Sequence, residues 1–159
     1  MPELTDTFSN LRAIYSNVWA MTVHAGPNRA ALLETFAAPH WYGVYIIYRH
    51  QQQEPIYVGS AGKLERSPVG AVRKGQFVKY RLSGANTPYF LDPDVAVLRY
   101  GPTTTGAGPA GYNSSVQMAD IYIESFHIPA TQAATPLEHL LLQGCVREFG
   151  NLPEANQKF

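Results

Sequence analysis

Apolar and β-branched residues gather in two neighbouring runs, 41–49 (Trp-Tyr-Gly-Val-Tyr-Ile-Ile-Tyr-Arg) and 55–60 (Pro-Ile-Tyr-Val-Gly-Ser). Between them stands a polar stretch, His50-Gln51-Gln52-Gln53-Glu54. Two such runs around a short polar segment predict a β-hairpin. Their near-continuous apolarity predicts a sheet covered on both faces.

Elsewhere the spacing is helical. Phe8, Leu11, Tyr15, Val18 and Trp19 make one stripe and predict an amphipathic helix over 5–20. A second short helix is expected from Pro27-Asn28 to Pro39, with Leu32, Leu33, Phe36 and Ala37 inward. The two read as a helical N-terminal extension, residues 1–39, on the core. Ala61 to Gly70 reads as a loop, and 71–83 as a helix with Val72, Phe77, Val78 and Leu82 inward, weakened by Gly75. Residues 94–100 predict a third strand and 119–128 a fourth, across a long Gly-, Pro- and Thr-rich loop from 101 to 115. Thr135-Pro136-Leu137-Glu138 opens a last helix as a capping box, with Leu137, Leu140, Leu141, Cys145 and Phe149 buried and Gly150-Asn151 closing it. The fold class is therefore α/β in the α+β sense: a small central mixed or antiparallel sheet, flanked by helices.

At 159 residues the chain suits a single domain. An apolar content of 45% with 15% charge is that of a globular protein. The first residues show no secretory leader, no run is long enough for a membrane span, and the one cysteine, Cys145, excludes an internal disulfide framework. A cytoplasmic protein without membrane attachment is expected.

The formal net charge is zero, but it is unevenly spread. Residues 62–82 hold Lys63, Arg66, Arg73, Lys74, Lys79 and Arg81 against Glu65 alone, six cations to one anion, or +5. The remainder carries six cations against eleven anions. A basic segment on an acidic background is the footprint of a phosphate-binding face, although a solvated, lysine-decorated helix would have the same charge.

The candidate chemistry lies in the hairpin. Gly43-Val44-Tyr45 and Tyr57-Val58-Gly59 put two phenols side by side on adjacent strands, with glycines leaving room beside them. Two phenols at one place suit a phosphate and a water. Hydrolysis of a phosphodiester needs a held water, a group to take its proton and positive charge to meet the charge growing on phosphorus. A free phenol titrates near about 10, so a tyrosine here either has a lowered pKa or orients the water by a hydrogen bond. Gly59-Ser60-Ala61-Gly62-Lys63 fails the P-loop pattern, and the five histidines lack zinc-site spacing.

The order of paired tripeptides, basic helix, strand, helix opening on a glutamate, and terminal asparagine resembles the GIY-YIG nuclease family. The likeness covers residues 41–156 and is greatest to the family's type II restriction endonucleases. It implies a site of Tyr45, Tyr57, Arg81, Glu138 and Asn156. Arg66 and Arg73 are the other candidates for the arginine, and Ala85 stands where some members have a histidine. Glu138 would hold one Mg²⁺ or Mn²⁺. Tyr45 would orient or deprotonate the water and Tyr57 would hold the phosphate or the water. Gly59, Ser60, Lys63, Arg66, Arg73, Lys74 and Lys79 would contact the substrate. The implied activity is cleavage of double-stranded DNA by a homodimer, leaving 5′-phosphate ends. A structure-specific repair or recombination nuclease and a non-catalytic nucleic-acid-binding domain are the alternatives.

Overall fold

A computed structural model describes residues 18–22, 42–49, 55–74, 89–92, 95–101, 112, 114–128 and 134–156. Nine strands and one long helix are formed by these residues: β1 (Val18–Thr22), β2 (Gly43–Arg49), β3 (Pro55–Ala61), β4 (Lys63–Ser67), β5 (Gly70–Lys74), β6 (Tyr89–Asp92), β7 (Val97–Tyr100), β8 (Ser114–Gln117), β9 (Ile121–His127) and α1 (Thr135–Phe149). A short 3-10 turn, Met118–Asp120, precedes β9. The architecture is α+β with antiparallel sheets.

The expected hairpin is the centre of the molecule. β2 and β3 pair antiparallel and β9 lies on the other side of β2, giving a four-stranded sheet in the order β1-β9-β2-β3. A bulge between Ile47 and Tyr48 leaves Ile56 unpaired in the β2–β3 register. That extra residue lets Ile56 and Tyr57 both reach the same apolar cluster. A three-stranded sheet, β6-β7-β8, supplies Tyr89, Leu91, Leu98 and Tyr100 to that cluster, where they meet Tyr45, Ile47 and Ile123. The helix covers the other face: Leu141, Leu142 and Cys145 pack with Val44, Ile46, Val58, Phe126 and Ile128.

Several expectations are corrected. Residues 18–20 belong to a strand, not to the end of a helix over 5–20; the rest of that segment and the proposed helix from residue 27 lie outside the described residues. The Ala61–Gly70 loop is strand and turn, and 71–74 are strand; residues 75–83 lie outside the described residues. The reason is a turn that the pattern did not disclose. The Ser67 hydroxyl donates to the Gly70 carbonyl at 2.6 Å and accepts from the Val69 amide at 3.2 Å, closing β4 onto β5. The third strand starts at Val97 and residues 114 and 115 open β8 rather than ending a loop, while most of 102–113 lies outside the described residues. Helix α1 spans the expected residues and closes on Gly150, whose φ of 76° is the left-handed conformation glycine favours. Its buried stripe includes Leu142 in place of Leu140, which is 51% exposed.

Candidate functional site

Strand β3 gathers most of the singled-out residues. Its side chains alternate between the two faces of the sheet. Tyr57 belongs to the cluster beneath the three-stranded sheet and Val58 to the cluster beneath α1. Ser60, two residues on from Val58, meets the helix as well: its hydroxyl donates to Glu138 Oε2.

The two phenols do stand together. The Tyr45 and Tyr57 rings are 5.9 Å apart at 43°, and Tyr89 adds a third ring 4.9 Å from that of Tyr57. The Tyr89 and Tyr45 hydroxyls are 3.5 Å apart. Aromatic rings at such spacings and tilts attract beyond the area they bury. Tyr45 is fully buried, whereas Tyr57 is 9% exposed and is the one nearer solvent.

The glycines have different reasons to be glycine. Gly59 pairs with Tyr45. A Cβ there would lie 2.6 Å from Tyr57 Cε1 and 2.8 Å from the Tyr45 hydroxyl, so its absence makes the space the rings occupy. At Gly43 a Cβ would lie 1.8 Å from the Phe126 carbonyl oxygen, so this glycine serves the close approach of β2 to β9.

Asn156 acts on the edge of β3. Its Oδ1 accepts from the Val58 amide and its Nδ2 donates to the Val58 carbonyl, both at 2.9 Å, while the Ala155 amide donates to the Ile56 carbonyl at 3.0 Å. The terminal segment thus substitutes for a neighbouring strand along Ile56–Val58. By the two-residue period, the next backbone amide to face outward on this edge is that of Ser60.

Glu138 is not the cap the sequence pattern suggested. The N-cap is Ala134, with no side-chain capping bond, and Thr135 is already helical. The carboxylate is instead bound by Ser60. It sits half-buried in the first turn of α1, where the helix dipole favours negative charge.

Glu138, Ser60, Asn156 and Tyr57 therefore converge on one stretch of β3, with Tyr45 and Gly59 beside them. The carboxylate and the phenols lie on opposite faces of the sheet. Lys63 and Arg66 are exposed on β4, and Arg73 and Lys74 lie on β5. Arg81 and Lys79 lie outside the described residues. Among the described residues no three His, Cys, Asp or Glu side chains are grouped to hold a metal ion. No helix of the described residues is long and apolar enough to cross a membrane.

Two further side chains carry no signal in the sequence pattern. Glu124 of β9 is 3% exposed, a buried carboxylate beside the fully buried Ser125; its position between Ile123 and Ser125 gave no motif to find it. Tyr89, the third ring, follows Pro88 outside any expected element and carried no signal in the pattern.

No family model, no curated protein and no solved structure matches the chain.

Proposed function

We propose that this protein is a metal-dependent endonuclease acting on double-stranded DNA, of the kind the GIY-YIG tripeptides suggest, and that it cuts at specific sites as restriction endonucleases do. The observation that carries this reading is the convergence on β3. Residues from four separate parts of the chain, at 45, 57–60, 138 and 156, meet at one strand.

Glu138 is a single hard oxygen donor with a hydroxyl beside it. That donor set suits a Mg²⁺ or Mn²⁺ ion that keeps several waters and takes a phosphate oxygen to complete its shell. Glu138 would hold the ion, which when bound would supply positive charge at the scissile phosphate. The chain's own residues do the rest. Ser60 fixes the carboxylate rotamer through its hydroxyl, and its outward amide donates to a phosphate oxygen. Tyr57, the less buried phenol, contacts the water or the phosphate. Tyr45 packs behind it, which supports a positioning role for Tyr45 in place of direct proton transfer. Asn156 holds Val58, and through it the flanking Tyr57 and Gly59. The arginine comes from the basic segment, Arg81 being the best match and Arg66 and Arg73 the others. Its guanidinium fork pairs with phosphate oxygens in a way lysine does not. A homodimer would present two such sites to a palindrome.

Incubation with long duplex DNA and Mg²⁺ tests the proposal. Discrete fragments with 5′-phosphate ends are expected. Cutting of branched DNA alone would move the protein to the repair class, and metal-independent binding with no cutting would make it a binding domain.

A further inference from the structure

Apart from Arg66 and Arg73 as candidates for the arginine, the hairpin β4–β5 is given no part in the hydrolysis described above, yet most of its described side chains are exposed. Among the described residues its two strands pair with each other alone, from Lys63 opposite Lys74 to Ser67 opposite Gly70. Lys63, Glu65, Arg66, Pro68, Val69, Gly70 and Ala71 are all exposed. At the tip Val69 is 91% exposed, the largest exposure of any large apolar side chain described. A valine so placed gains nothing for the fold.

The tip is nonetheless rigidly built. Pro68 restricts its own φ, and the Ser67 hydroxyl ties Val69 to Gly70 through two hydrogen bonds. Gly70 takes a φ of 115° that other residues rarely adopt. A fixed tip meets a ligand with little entropy left to lose. Residues 63–74 carry four cations and one anion, a charge of +3, on a chain whose net charge is zero.

The root of the ribbon is fixed as well. Gly62 has a φ of 94° and a Cβ there would lie 2.7 Å from the Tyr42 ring, so the chain bends out of the sheet against that ring. The bend comes two residues after Ser60, so the ribbon leaves the sheet beside the candidate site.

We propose that β4–β5 is a groove-reading arm for duplex DNA: Lys63 and Arg66 contact backbone phosphates while the Pro68-Val69 tip lies in the major groove against thymine methyl groups. Five residues per strand span about 17 Å, and the major groove admits a two-stranded ribbon. The assignment rests on the endonuclease reading for its choice of duplex DNA among polyanions, but binding by the arm does not require that the bond be cut.

The test is fluorescence anisotropy of the full chain with a labelled mixed-sequence duplex in EDTA, so that no hydrolysis occurs, over a range of salt. The double variant Lys63→Gln with Arg66→Gln should bind on the order of 50-fold more weakly at about 0.1 M salt and lower the slope of log K against log salt by about 2. Deoxyuridine in place of thymidine should weaken wild-type binding about fourfold, the worth of one buried methyl, and leave Val69→Gly unaffected. Unchanged thermal unfolding of both variants establishes that the fold is kept, as expected for exposed positions. Wild-type affinity and slope in the double variant would overturn the arm, as would preference for single-stranded RNA over the duplex. If those variants bind normally and the wild type cuts DNA with Mg²⁺, the arm fails and the nuclease stands. If the arm behaves as stated and no DNA is ever cut, the hydrolysis fails and the arm stands.

Discussion

The two faces of the four-stranded sheet both bury an apolar cluster and differ in the polar groups they bring to β3. Toward the three-stranded sheet the phenols of Tyr45, Tyr57 and Tyr89 pack ring on ring, with Tyr45 fully buried. Toward α1 the pair is a carboxylate and a hydroxyl, Glu138 and Ser60, at a place only half-covered. A phenol carries a large apolar ring to packing and can be sealed in; the Glu138 carboxylate keeps part of its hydration at this half-covered place, unlike the buried Glu124 of β9. Strand β3 joins the two by alternation, Tyr57 and Gly59 turning one way and Val58 and Ser60 the other. A substrate that needs both groups must therefore come to the edge of β3, on the side of Ser60 beyond the clamp of Asn156.

Perturbing each side in turn separates packing from chemistry. The largest effect is expected at Gly43. Alanine there would drive a Cβ into the Phe126 carbonyl, which is backbone and has nowhere to move. A loss of about 3 kcal/mol or more is expected, or a fall in Tm of roughly 6–12 °C, read by thermal unfolding. Gly59→Ala strikes only the phenol face, where the clashing atoms are side chains. It should cost about 1–3 kcal/mol and disturb the near-UV signal of the tyrosines. A melt like that of the wild type would mean the rings are not packed as described.

Next comes the edge. Asn156→Ala removes two hydrogen bonds to the Val58 backbone, and a loss of about 1–3 kcal/mol follows at about 1 ± 0.5 per bond, with faster amide exchange in β3. A residue that served catalysis alone would leave stability unchanged.

The smallest effect lies at the far end of β2. There Arg49 donates to the Tyr100 hydroxyl and lies 3.5 Å from Glu154. Burial pushes the Tyr100 phenol above its ordinary value of 10.0, against the pull of Arg49, and Glu154 adds to the rise. A phenol whose pKa is raised by folding favours the native state below the unfolded value, and that contribution disappears as pH climbs through the raised one. Stability should thus fall at alkaline pH above about 10, and less steeply in Tyr100→Phe. Some of the fall should persist, since burial raises Tyr112 too.

How far the sequence disclosed all this varied with the kind of force involved. The β2–β3 hairpin and α1 were legible because each carries its own local signal, two near-continuous apolar runs around a polar segment in one case and a 3.6-residue stripe with a glycine stop in the other. The ribbon β4–β5 was not, because a turn held by one serine hydroxyl leaves no apolar pattern and its cations suit a helix as well. Leu140 and Leu142 changed places because neighbouring leucines fit either side of a stripe until the sheet fixes the face. Thr135 and Glu138 satisfied a capping pattern, but Ser60, 78 positions away, took the carboxylate. Tripeptides and glutamate were visible as residue types; that phenols and carboxylate face opposite ways follows from strand register, which no local pattern encodes.

Whether the edge of β3 hydrolyses DNA, as proposed, is tested most directly by cleavage of long duplex DNA with Mg²⁺ by Glu138→Gln beside the wild type. The account predicts discrete fragments from the wild type and at least a 100-fold slower rate from the variant, in line with losing one group that stabilises charge at the reacting centre, with thermal unfolding unchanged to within about 1 kcal/mol. Equal cutting by both proteins, or none by the wild type at any Mg²⁺ concentration, would contradict it.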